Sequence, residues 1–104
     1  MPDYTRIASA KDIPVGQVRV FIVNDQRVAV ANVGGQFYAL DDVCTHDGGP
    51  LGEGNLDGHA IICPRHGARF DVRSGAALAF PAITPVNAYP TKAQDGEVWA
   101  AIET

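Results

Sequence analysis

Three residue pairs punctuate this chain and leave it little freedom of fold. Asn24-Asp25, Gly34-Gly35 and Asp95-Gly96 each stand between short runs rich in β-branched and aromatic residues. A two-residue loop joining antiparallel strands needs positive φ, which Asn, Asp and Gly adopt at least cost. The spacing predicts strands over 17–23, 27–33 and 36–40, joined as an antiparallel meander, with Val18, Val20 and Ile22 on one face of the first. Further strands are expected over 60–63 and 69–72, and a last hairpin turns at Asp95-Gly96 and closes on 97–102. Ser9 and Asp12 could form a capping box, but Pro14 limits any helix there to about one turn. With no internal repeat, the reading is an all-β domain of short antiparallel strands, a small barrel or sandwich.

The chain's 104 residues suffice for one domain, 1–104, and its 46% hydrophobic and 19% charged content is that of a globular protein. A net charge of −4 gives no support to nucleic-acid binding. No apolar run approaches the roughly 18 residues of a membrane span. Met1-Pro2-Asp3-Tyr4-Thr5-Arg6 lacks a signal peptide's basic and apolar regions, and twin arginines are absent, so a cytoplasmic location is expected. In a reducing compartment the two cysteines, Cys44 and Cys63, favour a metal site over a disulfide.

Both cysteines pair with a histidine. Cys44-Thr45-His46 is a C-x-H and Cys63-Pro64-Arg65-His66 a C-x-x-H, with sixteen residues, 47–62, between them. Two thiolates and two imidazoles permit a mononuclear Cys2His2 zinc site that serves structure only. They equally permit a 2Fe–2S cluster with two sulfurs on one iron and two nitrogens on the other. Common zinc fingers pair Cys with Cys and His with His on separate elements, whereas a cluster needs one Cys and one His from each loop. The mixed pairs favour the cluster. A Cys44–Cys63 disulfide is a third alternative and leaves both histidines unexplained. Between Asp47 and Gly58, five of twelve residues are glycine, a composition that lets backbone N–H groups converge on an anionic group.

The segments CTHDGG at 44–49 and CPRHGARFD at 63–71 resemble the two cluster-binding boxes of Rieske proteins. Three strands before the boxes, the proline-bearing segment Phe80-Pro81-Ala82 after them and the terminal hairpin extend the resemblance over nearly the whole chain. It implies a Rieske fold, a sandwich or small-barrel base carrying an inserted cluster-binding subdomain over about 43–72, and one 2Fe–2S cluster. Cys44 and Cys63 would bind the inner iron, and His46 and His66 the outer iron through Nδ1. Pro81 would belong to a third loop covering the cluster.

Departures within the boxes narrow the class. High-potential Rieske proteins carry an extra cysteine in each box, where this chain has Gly49 and Arg65. They also place a serine and a tyrosine that donate hydroxyl hydrogen bonds to the cluster sulfurs, where this chain has Ala68 and Phe70. The chain therefore resembles the low-potential Rieske ferredoxins of bacterial ring-hydroxylating dioxygenase systems. That resemblance implies a carrier relaying single electrons from an NAD(P)H-dependent flavoprotein reductase to a terminal oxygenase, and a monomer is expected. Four protein ligands and bridging sulfides saturate both irons, and no nucleophile–base pair or hydride-cofactor fingerprint is present, so the chain is not expected to be an enzyme alone. Two rival readings remain: the small Rieske-like subunit of an assimilatory nitrite reductase, and a structural zinc-binding interaction module.

Other residues read as structural. His59 is expected at the surface, after the turn at Asp57-Gly58, and Phe21, Phe37, Tyr38 and Trp99 in strand packing. Asp41, Asp42, Asp47, Glu53 and Asp57 put acid near the first box and Arg65, Arg69 and Arg73 put base near the second, a mixed rim that a partner could read.

Overall fold

At Asn24 and Asp25 the backbone takes φ of 51° and 64°, at Gly34 and Gly35 62° and 95°, and at Asp95 and Gly96 55° and 76°. These left-handed pairs match the right-handed twist of the strands they join. The structure is a computed structural model that describes residues 4–43, 50–64, 67–79 and 84–102. Its strands are β1 (Thr5–Ser9), β2 (Val18–Val23), β3 (Gln26–Val33), β4 (Gln36–Asp41), β5 (Asn55–Asp57) and β6 (Ala60–Ile62). They continue with β7 (Arg69–Asp71), β8 (Ala77–Ala79), β9 (Ala88–Tyr89), β10 (Thr91–Gln94) and β11 (Glu97–Ala100). Among the described residues the only helix is a 3-10 turn, Ala10–Asp12, and its N-cap Ser9 makes no side-chain capping bond. The expected capping box is therefore not formed.

Three antiparallel sheets result, ordered β1-β11-β10, β2-β3-β4-β9 and β5-β6-β7-β8. The central sheet contains the expected meander, with Val20 opposite Ala29 and Ala29 opposite Leu40. Alternation along β3 sends Val28 and Val30 into one apolar cluster and Ala29 and Ala31 into another. The first cluster joins Phe21, Val23 and Ala39 to Val98 and Ala100 of the β1-β11-β10 sheet. The second joins Val18 and Leu40 to Ile61, Cys63 and Phe70 of the β5–β8 sheet. Small alanines on this face let the third sheet approach closely. Asn32 is buried near the end of β3, where its Nδ2 donates to the Ile13 carbonyl at 2.7 Å and its Oδ1 accepts from the Gly35 amide at 2.9 Å.

Two details differ from the sequence reading. Val18, Val20 and Ile22 do share a face, but its cover falls from buried Val18 through half-buried Val20 to Ile22, which is 70% exposed. The glycine-rich stretch is not loop throughout, because its last part is strand β5 paired with β6 from Asn55↔Ile62 to Asp57↔Ala60. Within it, Gly58 (φ 62°) turns the β5–β6 hairpin. Gly54 serves close packing, since a Cβ there would lie 2.0 Å from the Ile62 carbonyl oxygen.

The unequal cover on the two strands predicts unequal mutational cost. Leu40→Ala, at a position 1% exposed, should destabilise the protein by about 2–5 kcal/mol, while Ile22→Ala should stay within about 0.5 kcal/mol. Denaturant midpoints of the two variants check this, and equal losses would contradict the packing described.

Candidate metal centre

Strand β6 ends at Ile62 and delivers Cys63 to the mouth of a six-residue loop, 63–68, that leads into β7. The loop is closed by its own backbone: the Cys63 amide donates to the Ala68 carbonyl at 2.7 Å, and the Gly67 amide donates to the Cys63 carbonyl at 3.1 Å. Gly67 takes φ of 74°, a conformation strained for any residue with a side chain. These two hydrogen bonds join Cys63 to Gly67 and Ala68 across the base of the loop. Cys63 carries a free thiol and is 1% exposed. It packs in one apolar cluster with Leu51, Ile61, Ala68 and Phe70, all fully buried.

Of the four expected ligands, Cys63 lies in the described structure, while Cys44, His46 and His66 lie outside the described residues, as do Asp47, Gly48, Gly49, Arg65 and Pro81. The described part of the donor set fits iron–sulfur ligation. Cys63 is screened from water by the apolar side chains around it, and such a shell controls solvent access to a metal-bound sulfur. Ala68 and Phe70 sit beside Cys63 with no hydroxyl to offer it, and Cys63 is not in a disulfide.

The acidic rim is rearranged relative to expectation. Asp42 is not a rim group, because its side chain is fully buried and paired with Arg27 at 3.0 Å. Asp41 accepts hydrogen bonds from the Tyr89 hydroxyl and from Asn87 Nδ2. Asp57 pairs with Arg69 at 2.9 Å, and Asp71 with Arg73 at 3.0 Å, so the described basic residues of this rim are matched within the chain. The Arg73 guanidinium holds the Asp71 carboxyl below its usual range. Such exposed pairs contribute little to stability. Sequence reading could not separate Asp42 from its solvated neighbours, since nothing in a run of Asp residues reports burial. His59 is exposed as expected, its ring edge-on to Tyr38 with centroids 5.9 Å apart. Trp99 is a packing residue whose face lies near the Lys92 ammonium, 5.8 Å from the ring centroid.

Comparison with known proteins follows the same lines. The family described as "Rieske [2Fe-2S] domain" matches residues 3–90. Ferredoxin CarAc of Metapseudomonas resinovorans is 39% identical over 101 residues, covering 96% of this chain and 94% of that protein. Among solved structures, the ferredoxin of carbazole 1,9a-dioxygenase from Nocardioides aromaticivorans IC177 superposes with a TM-score of 0.92 at 32% identity, over 96% of this chain and 98% of that one. A complex of reduced oxygenase and oxidized ferredoxin in carbazole 1,9a-dioxygenase holds a chain matched at TM-score 0.86 and 37% identity, over 94% of this chain and 92% of that one.

The Tyr89–Asp41 contact predicts an alkaline transition. Burial, and then the hydrogen bond to the Asp41 carboxylate, push the Tyr89 phenol from its ordinary value of 10 up to about 12. The folded state therefore keeps a proton that the unfolded chain releases first. The stabilisation is complete below pH 10 and is lost as pH rises through about 12. In Tyr89→Phe, stability measured by denaturant titration should decline less steeply across this range. A decline as steep as that of the wild type would contradict the assignment.

Proposed function

Because the chain belongs to the Rieske 2Fe–2S domain family, we propose that Cys44, His46, Cys63 and His66 are the ligands of its one cluster. The protein is a ferredoxin-type electron carrier, not an enzyme, as are relatives of its own length. When bound, a Rieske cluster changes oxidation state by one electron. The chain's residues supply its enclosure and its exits. Cys63 holds the buried side from the apolar cluster it shares with Phe70. On this ligand assignment the histidines, one from each box, would supply the edge through which electrons enter and leave.

The observation that carries this reading is the hydrogen-bonded loop with a free, buried Cys63 at its mouth, held beside Ala68 and Phe70. A zinc module would carry no electrons, since zinc has no redox chemistry. Against the nitrite reductase reading stand relatives of similar length named as ferredoxin components of naphthalene 1,2-dioxygenase/salicylate 5-hydroxylase systems and of biphenyl 2,3-dioxygenase. The chain is one domain, 1–104, with its cluster-binding subdomain over about 43–72. It works as a cytoplasmic monomer that takes electrons from an NAD(P)H-dependent flavoprotein reductase and passes them to a terminal ring-hydroxylating oxygenase, without nucleic acid or membrane. The pairing of a ferredoxin with an oxygenase in the carbazole dioxygenase complex supports the second half of that relay. Among the described residues no helix is long and apolar enough to cross a membrane.

The test is chemical and spectroscopic. Anaerobically purified protein should hold two irons and two acid-labile sulfides per chain. Its reduced form should give a rhombic EPR signal with an average g below that of all-cysteine clusters. His66→Ala should abolish that signal, and an unaltered spectrum in the variant would remove His66 from the ligand set.

A further inference from the structure

The segment entering the first ligand box is held by two consecutive carboxylates that reach in different directions. Asp42 is turned inward with its side chain fully buried. Its Oδ2 accepts from Nε and Nη2 of Arg27, both at 3.0 Å, and its Oδ1 accepts from the Gly52 amide at 2.6 Å. The Asp42 amide in turn donates to the Arg27 carbonyl at 3.0 Å. Gly52 is fitted to this contact, since a Cβ there would lie 2.2 Å from Val20 Cγ2 and 3.0 Å from Asp42 Oδ1. Asp41 engages a different segment. The Tyr89 hydroxyl donates to its Oδ1, Asn87 Nδ2 donates to its Oδ2 at 3.0 Å, and its own amide donates to the Asn87 carbonyl at 2.9 Å. One residue before Asn87, the Val86 amide donates to the Gly75 carbonyl at 2.9 Å, tying the same segment to the β7–β8 turn.

We propose that Asp41 and Asp42 form a two-pronged positioning device for the cluster, fastening the segment that leads into Cys44 to the 50–54 loop through one carboxylate and to 86–89 through the other. The inference rests on the ligand assignment above. Its physical basis is the cost of a buried carboxylate, which an apolar residue in the same place would avoid. Such a group is useful where it fixes one arrangement among several, and Asp42 does so by holding a main-chain amide of a neighbouring loop. The exposed Arg6–Glu97 pair, 3.0 Å apart on the β1–β11 seam, offers a contrast because both of its groups are solvated. Removing a group that hydrogen-bonds a metal ligand typically costs about ten- to a hundredfold in metal affinity or activity, and a group that orients the ligand's segment acts in the same way one step further out.

The experiment uses the holoprotein and compares Asp42→Ala, Asp42→Asn, Asp41→Ala and a Glu97→Gln control. Two quantities are read: the first-order loss of visible absorbance in excess chelator, and hydrogen exchange by peptide mass spectrometry. Asp42→Ala should lose its cluster about ten- to a hundredfold faster than the wild type, with exchange rising in peptides covering 50–54. Asp42→Asn keeps an oxygen for the Gly52 amide and should fall between the two. Asp41→Ala should also speed cluster loss, with exchange rising over 84–89 instead. None of the three Asp variants should loosen the β10–β11 hairpin, and Glu97→Gln should lose cluster at the wild-type rate. Unchanged cluster loss in both Asp42 variants, or exchange rising equally in the β10–β11 hairpin, would overturn the proposal. Iron and sulfide content of the wild type separates the two levels. A fully loaded wild type with insensitive variants defeats only this device, whereas a wild type without iron defeats the ligand assignment and the device together.

Discussion

Strand β3 is covered by a sheet on each face, and most of the architecture follows from that double burial. Both sets of alternating side chains on β3 must be apolar, and they differ in size: Val28 and Val30 towards β1-β11-β10, Ala29 and Ala31 towards β5–β8. Burying apolar area is the main favourable term in folding, so a strand that contributes from both faces binds two otherwise separate layers. The side of β3 that carries alanine receives the sheet bearing Cys63. The position of Cys63 is thus set by its packing in one cluster with Ala29 and Ala31.

Cys63 stands where that packing meets chemistry. It is enclosed by Leu51, Ala68 and Phe70, none of which can donate a hydrogen bond from its side chain. A negative charge placed on Cys63 would receive no side-chain hydrogen bond from these three residues. An enclosure with few donors penalises the added electron of the reduced state, because charge buried without hydrogen bonds is costly.

The sequence made some of this legible because the responsible signals are local. Asn24-Asp25, Gly34-Gly35 and Asp95-Gly96 determine positive φ by residue type, so three hairpins could be read directly. The Cys-His pairs are equally local, since each box supplies both donor types within four residues. What escaped depends on contacts distant in sequence. β5 was hidden inside a glycine-rich segment because its pairing with β6, and the closeness of Gly54 to the Ile62 carbonyl, are tertiary facts. β9 is two residues long and exists through its pairing with β4, with no pattern of its own. Asp42 looked like one more solvated acid, and only Arg27, fifteen residues earlier, and Gly52, ten residues later, make it a buried anchor.

The central claim, a low-potential Rieske electron carrier, is tested most directly by potentiometry. Hydrogen bonds to charged groups contribute roughly 1.5–3 kcal/mol, part of it differential between redox states. For one electron about 1.4 kcal/mol corresponds to about 59 mV, so the absence of two hydroxyls at Ala68 and Phe70 should lower the potential by something on the order of 100 mV. Protein-film voltammetry of the wild type, Ala68→Ser, Phe70→Tyr and the double variant should place the wild type near about −150 mV, the low end of the Rieske range. Each hydroxyl that reaches a sulfur should raise that value. A wild-type potential near about +300 mV, the high end of the same range, would contradict the account.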